Sequence, residues 1–290
     1  MTSMSPLVKI RAERDQMSAI ERRIADFILD NAHLLRDYSS QQVANALKIS
    51  QSSVVKFSQK LGFKGYPDLK LSIGESVAHH RAIENQAGDE AADAERAVAD
   101  PYAALADSLW RSKHEAQTET RAINPPAQID AIVAALAAAP KVFVTGLGED
   151  GIQAQAFALK LSLLDIHTVH HCDPVFMSTS LSTASHGDVM LVLSEHGRQP
   201  AHAQISREAR ERGGKVVSIT RHTANALRAH ADAALLVSAH DERASVEPLL
   251  YRAALQHLLD VLFVALCERV GDGAARLQAN VERMRPLLDP

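Results

Sequence analysis

Short apolar segments alternate with helical patterns over the second half of the chain, and this alternation limits the fold more than any other sequence feature. Segments of continuous Val, Leu and Ile are predicted strands, and amphipathic or Ala-rich patterns are predicted helices. Such alternation is typical of a parallel sheet covered on both faces. The second half is therefore predicted to be an α/β doubly wound domain. The predicted strands are 141–145, 167–171, 188–194, 215–220 and 233–238, and the predicted helices are 129–138, 153–164 and 203–212.

The loops after three of these strands are the candidate ligand pocket. In an open α/β sheet, ligands bind beyond the carboxyl ends of the strands. The loops are 146–151, 194–199 and 220–223. The first loop reads GLGEDG, which is a weak signal by itself, because a Gly-rich turn between a strand and a helix is often only a tight connection. The strand pattern, rather than the glycines, therefore identifies the pocket.

The first 50 residues contain two helix starts. Ser18 and Glu21 have the spacing of a capping box at the start of an amphipathic helix. Ser39 offers a hydroxyl cap for a shorter helix, which is predicted to run to about Lys48. The dipeptide 49–50 is then a tight turn. With the helix that follows, the pattern predicts an all-α unit of three helices around a small core, and a further helix comes after the Gly and Pro residues at 62–67.

The segment 50–70, SQSSVVKFSQKLGFKGYPDLK, has the pattern of a DNA-reading helix. Its apolar face consists of Val54, Val55, Phe57 and Leu61, and its other face carries hydroxyl, amide and ammonium groups. Residues 41–72 contain five lysines and one aspartate, a local net charge of +4, although the whole chain has a net charge of −4. The predicted DNA contacts are Ser50, Gln51, Ser52, Ser53, Lys56, Lys60 and Lys64.

Residues 17–75 resemble the N-terminal domain of RpiR-type bacterial transcriptional regulators. The resemblance rests on the run SSVVKFSQKLGFKGYPDLK, with its hydroxyl pair, its basic residue before Phe and its LGFKGY turn. It implies a winged or extended helix-turn-helix dimer that binds operator DNA. It also implies a sugar-isomerase-type (SIS) α/β domain in the second half, where the strand pattern independently predicts a parallel sheet.

The strand-end loops resemble those of a SIS domain but depart from its usual residues. That domain holds a sugar phosphate with the patterns GxGxS and SxSGxT. Here Asp150 stands in place of the first serine, His196 in place of the inner serine and Gln199 in place of the threonine. The resemblance therefore implies an effector pocket, for a carbohydrate derivative, formed by Gly146, Gly148, Asp150, Ser194, His196, Gly197, Gln199 and Thr220.

Asp150 is predicted to weaken phosphate binding. Its carboxylate could cap the amides of the following helix, and Glu149 adds a second negative charge beside it. Two unit charges at ~4 Å with an effective dielectric constant of ~20 repel by about 4 kcal/mol, which is roughly a thousandfold in affinity. His196, Arg198 and Gln199 could supply compensating donors. Two alternatives therefore stay open, a sugar phosphate or related anion and an effector without phosphate.

Composition describes an ordinary globular protein of two domains. The chain has 290 residues, of which 46% are hydrophobic, enough for a core in each domain. No apolar run is predicted to span a membrane, and no secretory signal is evident, so we expect a cytoplasmic protein. Cys172 and Cys267 form no zinc-type pair and are expected to be reduced thiols.

The segment between the two halves is predicted to be a connection. Residues 79–100 are rich in Ala, Glu and Asp, which predicts a partly helical linker, and 102–123 is predicted to be one helix that ends at Asn124-Pro125-Pro126. Trp110 lies on that helix and is predicted to anchor packing within the chain or across a dimer interface. The predicted domains are 1–78, 79–124 and 125–290.

A cluster of histidines offers an alternative function. Imidazole, thiolate and carboxylate groups can hold zinc, another transition metal or haem iron. Successive strand residues point to opposite faces, however, so the adjacent histidines at 170 and 171 cannot both face one ion without a bend. We therefore predict no metal site and no cofactor. The residues of this cluster are His167, His170, His171, Cys172, Asp173, His186 and His196.

Catalysis is the other alternative, because the SIS fold also serves aldose-ketose isomerases. Such a reaction needs a base that moves a proton between adjacent carbons, and His196, Glu149 and Glu247 are the candidates. None of these residues has a diagnostic spacing, and fold analogy alone does not establish catalysis. We therefore predict a regulator rather than an enzyme.

The regulator is expected to be a homodimer or homotetramer. Residues 246–265 are more apolar than a single-sided surface helix requires, which predicts that a partner subunit covers the excess. The expected partners are operator DNA, a small-molecule effector and further copies of the chain.

Overall fold

The computed structural model describes residues 6–14, 17–30, 35, 38–75, 100–222, 225–241 and 243–288. The chain divides into two compact units, 1–112 and 113–290. The predicted linker over 79–100 lies outside the described residues, apart from residue 100.

Within its described residues, the first unit is built from helices. Amphipathic patterns fold as helices because each buries one apolar stripe against its neighbours. A last helix begins in this unit and ends in the second one. The helices are α1 (Pro6–Glu13), α2 (Ala19–Asp30), α3 (Ser40–Leu47), α4 (Gln51–Lys60), α5 (66–75) and α6 (Pro101–Ile123).

One core joins the helices of the first unit. Ile24 and Ile28 of α2 meet Val43 of α3 and Phe57 of α4, and each of these side chains is at most 1% exposed. Val54 and Leu61 of the predicted apolar face are also buried, whereas Val55 is only half-buried. The packing confirms the predicted helical unit.

The second unit alternates strands with helices. Helix α7, Pro126–Ala138, has prolines at its start, where the missing N–H costs no hydrogen bond. Two helices of this unit were not predicted, α9 and the last helix, α12. The elements are α7 (Pro126–Ala138), β1 (Val142–Gly146), α8 (Glu149–Leu163), β2 (Thr168–His170), α9 (Pro174–Leu181), β3 (Val189–Leu193), α10 (Pro200–Glu211), β4 (Lys215–Arg221), a 3₁₀ turn (Leu227–His230), β5 (Ala233–Val237), α11 (Glu247–Arg269) and α12 (Gly273–Leu288).

The five strands form one parallel sheet in the order β2-β1-β3-β4-β5. Val144 pairs with Leu191 in register, and Val192 pairs with Ser218. Because all strands are parallel, the carboxyl ends of β1, β3 and β4 lie at one edge of the sheet. The order and the helices between the strands confirm the doubly wound fold.

Helices cover both faces of the sheet. On one face, Met177 of α9 and Ile205 of α10 pack against Phe143 and Met190. On the other face, α8 packs against β1 and β3, and α11 packs against α7, α8 and β5. Every residue of β1 and β3 is buried, which is why these two central strands are largely apolar in sequence.

Side chains cover the outer edge of strand β5. Asn124, just after α6, donates from Nδ2 to the Leu236 oxygen (2.7 Å) and accepts at Oδ1 from the Leu236 nitrogen (2.9 Å). Thr120 Oγ1 makes the same pair of contacts with the Ser238 nitrogen (2.9 Å) and oxygen (3.3 Å). These bonds tie the end of α6 to the sheet.

Helix α11 is the central helix of the second unit. Its length and composition would allow it to cross a membrane, contrary to the expectation from sequence, but a core helix passes the same test. Much of its apolar content is covered within its own unit, so that content is no longer an argument for a dimer. Val261 and Val264 stay exposed. The buried residues are Leu250, Tyr251, Ala254, Leu255, Leu258, Leu259, Leu262 and Leu266.

Trp110 does not anchor the interior of the first unit. Its side chain is 67% exposed, and Tyr102 and Leu105 on the same helix are exposed as well. The prediction that Trp110 is an intrachain packing anchor is therefore wrong, because the first turns of α6 turn these apolar side chains outward.

Candidate functional site

Two capped helices fix the turn that precedes the predicted DNA-reading helix. Ser39 and Gln42 form a capping box at the start of α3, and Ser39 Oγ accepts from the Gln42 nitrogen at 3.2 Å. Lys48 ends α3 in a left-handed conformation with a φ of 52°. Ser50 then caps α4, accepting from the Ser53 nitrogen at 3.2 Å. The turn between the helices is therefore set by local hydrogen bonds.

The exposed side of α4 carries most of the predicted DNA contacts. Gln51, Ser52 and Lys56 are exposed, and Gln51 Nε2 donates to the Ser40 hydroxyl at 2.9 Å. Ser50 lies within 2.8 Å of the Ser53 hydroxyl and has a structural role as the cap. Amide and hydroxyl groups on one exposed helix face can reach base edges and phosphates.

Lys60 is held by an ion pair that the sequence argument did not include. Its Nζ lies 3.0 Å and 2.9 Å from the two carboxylate oxygens of Glu21 in α2. The hydrogen bond from Lys60 is the main cause that lowers the pKa of Glu21, and the backbone N–H of Ser18 lowers it further. Glu21 also closes the predicted capping box with Ser18 at 2.7 Å. Lys64 is exposed at the end of the face.

The structure brings the three strand-end loops together. Asp150 of the first loop accepts from the Glu195 nitrogen of the second loop at 2.7 Å. Glu195 accepts in turn from the Arg221 nitrogen at 2.9 Å, and the Gly197 oxygen accepts from the Leu227 nitrogen at 3.1 Å. Hydrogen bonds therefore hold the loops as one surface at the edge of the sheet.

Two glycines are required by the close approach of these loops. A Cβ at Gly146 would lie 2.6 Å from the backbone oxygen of Asp150, and a Cβ at Gly197 would overlap Asn225 Oδ1. Gly197 also has a φ of +56°, which side chains rarely adopt. Both positions therefore exclude larger residues, whatever binds beside them.

Asp150 does not cap the helix that contains it, contrary to the expectation from sequence. It is the second residue of α8, whose N-cap is Gly148 without a side-chain cap. Its Oδ1 accepts instead from the Tyr251 hydroxyl of α11 at 3.1 Å. Burial raises the pKa of Asp150 despite the two hydrogen bonds, and burial also raises the pKa of Tyr251 well above its usual value. The carboxylate therefore joins the second loop to α11.

Glu149 adds less negative charge to this place than the sequence suggested. Its carboxylate forms an ion pair with Arg252 at 3.0 Å, and the side chain is mostly exposed. An exposed pair of this kind is partly neutralised and screened by solvent. Asp150 is therefore the main negative group that faces the loops from α8.

Polar groups of the second and third loops are largely bonded to one another. Ser194 donates to Gln199 Oε1 at 2.6 Å and accepts from the Gly197 nitrogen at 3.2 Å. Thr220 is buried and donates to the Arg221 oxygen at 2.9 Å. His196 is exposed, and its Nε2 lies 4.0 Å from Glu195 Oε1. His196 is therefore exposed, at what we call the mouth of the candidate pocket, whereas Gln199 is half-buried and Ser194 and Thr220 are buried.

Sequence reasoning missed an ion network centred on the buried side chain of Arg221. Arg221 is 9% exposed, and its Nη1 and Nη2 atoms lie 3.4 Å from Glu195 and 2.5 Å from Glu247. Its Nη2 also donates to the Ala239 oxygen. A charged residue at the end of the apolar strand 215–221 was the available signal. Tyr251 gave no such signal, because it contacts Asp150 across 101 residues of sequence.

Two histidines of the cluster that was considered as a metal site have separate partners. His170 Nδ1 lies 2.9 Å from the Val144 oxygen, and His170 Nε2 lies 3.5 Å from Cys172 Sγ. His171 Nε2 lies 3.0 Å from the Ser180 hydroxyl. Among the described residues, no three His, Cys, Asp or Glu side chains come together as a metal site. The metal or haem alternative is not favoured.

The candidate bases for an isomerase are likewise bonded or exposed. Glu149 and Glu247 are paired with arginines, and His196 lies at the surface beside Glu195. A general base must reach the proton that it removes, with an acceptor available for it. The geometry gives no support to the isomerase alternative.

Two domain families match the chain. The helix-turn-helix domain of the rpiR family matches residues 4–80, and the SIS domain matches residues 135–265. The two matches cover the helical unit and the strand-end pocket, respectively.

One relative and one solved structure match over nearly the whole length of the chain, and a second structure matches the second unit. An uncharacterized HTH-type transcriptional regulator of Escherichia coli (strain K12), YfhH, is 31% identical over 271 residues, which is 92% of this chain and 93% of the relative. NanR of Vibrio vulnificus, solved in complex with ManNAc-6P, has a TM-score of 0.60 at 21% identity and covers 98% of this chain and 100% of that one. The sugar isomerase domain of an RpiR transcription factor from Sphaerobacter thermophilus has a TM-score of 0.56 at 22% identity, over 62% of this chain and 98% of that one. The two structures establish the fold, and the relative together with the two domains establishes that the chain belongs to the RpiR family of HTH-type transcriptional regulators.

Proposed function

We propose that this regulator is cytoplasmic, binds operator DNA through the exposed face of α4 and senses a small carbohydrate derivative at the strand-end pocket, without catalysing a reaction. The observation that carries the proposal is the exposed polar face of Gln51, Ser52 and Lys56, held after a doubly capped turn. The fixed turn pre-organises these donors for a groove of DNA. The pocket lies on the same chain and supplies a place for an effector.

The proposed assembly is a homodimer or homotetramer. Ile152 and Leu159 of α8 are 66% and 55% exposed, and Val264 of α11 is 56% exposed. Apolar side chains exposed on helices that pack together support a surface that a second subunit covers. A dimer would place two copies of α4 one DNA turn or a multiple apart. Light scattering at micromolar concentration should give at least twice the chain mass, and a monomer mass would contradict this part of the proposal.

Genomic footprinting tests the regulatory role most directly. Purified protein or cells should yield discrete protected sites, and the neighbouring genes would indicate the pathway and the effector. A gel shift with a recovered site should then respond to that effector. Absence of any sequence-specific retention would contradict the proposal.

The isomerase alternative has its own assay. Turnover should be measured on a panel of aldose and ketose phosphates with the same preparation that retains DNA. We expect no turnover above background. Turnover that disappears in Glu247→Gln would favour catalysis instead.

A further inference from the structure

The carboxylate of Asp150 lies between the two loops that would surround an effector. Its Oδ2 takes the Glu195 N–H at 2.7 Å, and its Oδ1 takes the Tyr251 O–H at 3.1 Å. A backbone N–H after a strand end is the kind of donor that holds an anion in such folds. Here the protein supplies that anion itself.

We propose that Asp150 is a resident anion of the effector pocket, and that the effector is an uncharged, hydroxyl-rich compound rather than a phosphate ester. This inference rests on the proposed function and names the ligand class of the same site.

Three donors of the second loop are already bonded to the protein. The Glu195 N–H is held by Asp150, and the Gly197 N–H is held by Ser194. The Ser194 hydroxyl donates to Gln199. A phosphate that arrived here would have to displace these bonds, whereas in a serine-lined loop it would find hydroxyl donors.

The nearby guanidinium groups are also paired. Arg221 contacts Glu195 and Glu247, and Arg252 contacts Glu149. The charges of these two arginines are therefore offset by carboxylates. His196 and Arg198 lie at the exposed mouth, where solvent weakens their attraction for an anion.

An uncharged polyol suits this arrangement better. A carboxylate has about four acceptor positions, and Asp150 uses two of them in the described contacts. Sugar hydroxyls can donate to the remaining positions and accept from neutral side chains at the mouth. Charge repulsion at ~4 Å, with an effective dielectric constant of ~20, disfavours a phosphate by roughly a thousandfold for each unit charge.

The test compares pairs of ligands on full-length protein. Hexoses, pentoses and N-acetylmannosamine are each measured against their own phosphate monoesters by calorimetry, with wild type, Asp150→Asn, Asp150→Ser and the double variant Asp150→Ser with His196→Ser. Tyr251→Phe is the matched control, since it removes a hydrogen bond to the carboxylate and keeps the charge. Thermal unfolding confirms that each variant is folded.

We expect wild type and Tyr251→Phe to bind no phosphate monoester at micromolar affinity, and we expect an uncharged member of the panel to bind. Folded Asp150→Ser, alone or with His196→Ser, should gain at least tenfold in affinity for a phosphate monoester, and Asp150→Asn should gain less. Micromolar binding of a phosphate monoester by wild type, or no gain in folded Asp150→Ser, would overturn the inference. Gel shifts on the same preparations report separately on the DNA-binding function.

Discussion

Replacing Glu21 by Gln should release Lys60 for DNA. The two carboxylate oxygens of Glu21 hold Lys60 Nζ at 2.9 Å and 3.0 Å, at the C-terminal end of α4. Gln has nearly the same shape and still serves in a capping box with Ser18, so α2 should keep its start. The substitution therefore removes a charge and leaves the local fold in place.

The expected gain follows from one phosphate contact per subunit. Each additional contact steepens the dependence of log K on log salt by about 0.9, so a dimer should gain a slope of about 1.8. Lowering salt from about 0.2 M to about 0.05 M should then favour the variant by an additional factor of about 12. The free energy of unfolding should fall by only about 0.2–1 kcal/mol, because the ion pair between Glu21 and Lys60 is partly exposed. Because the pKa of Glu21 is lowered in the folded protein, the ion pair stabilises the fold at any pH above the ordinary Glu pKa. This stabilisation is lost as the pH falls through the pKa of Glu21 in the folded protein. The substitution therefore reduces stability at neutral pH.

Fluorescence anisotropy with a footprinted operator fragment at several salt concentrations measures the slope. Asp26→Asn is the control. Asp26 lies on α2, as Glu21 does, and forms an ion pair with Arg14 at 2.7 Å, so its substitution changes the net charge by the same amount. A steeper slope in Glu21→Gln alone assigns Lys60 to the DNA face. Equal slopes in wild type and Glu21→Gln would refute the reasoning, and equal increases in both variants would show a general effect of charge.

Three further predictions concern other parts of the chain. Lys56→Ala and Gln51→Ala should each weaken operator binding in a gel shift. A lost base contact should cost about 1–3 kcal/mol, whereas a lost phosphate contact should mainly lower the salt dependence of binding. Wild-type affinity in the double variant would show that α4 does not contact DNA. Burial lowers the pKa of His202 to about 4 from 6.5, so the unfolded chain binds the proton more readily. Urea unfolding should show stability falling by about 1.4 kcal/mol per pH unit as the pH drops from 6.5 toward 4, and His202→Leu should remove that slope. Cys172 is exposed, and burial raises the pKa of Cys267, so iodoacetamide should modify Cys172 before Cys267. Mass spectrometry measures the order, and faster modification of Cys267 would contradict the prediction.

Local signals in the sequence predicted the helix-turn-helix well. The capping boxes at Ser18 and Ser39 depend on residues three positions apart, and the structure confirms both. Helix α9 also had a local start signal, Asp173 before a proline, and Asp173 accepts from the Val175 nitrogen at 2.7 Å. The start of α9 is therefore also encoded by residues that are close in sequence.

The pocket was less predictable because its contacts join distant segments. Strand ends and glycines identified the loops, but the direction of the Asp150 carboxylate depends on Glu195 and Tyr251, which lie 45 and 101 residues away. The same holds for Arg221, whose partners come from two other segments. Residue types in the sequence indicate which charged groups lie in these loops, but they do not indicate which of those groups pair with one another.

The side-chain cover on β5 has a consequence for self-association. A free edge strand offers unpaired N–H and C=O groups to other chains, which is a common route to aggregation. Thr120 and Asn124 occupy these groups at Ser238 and Leu236, much as a neighbouring strand would. The β5 edge is therefore closed to sheet extension. Substitution of Asn124 by Ala should leave the Leu236 N–H and C=O unpaired and promote self-association of the chain, without changing the residues of the DNA-binding face or of the effector pocket.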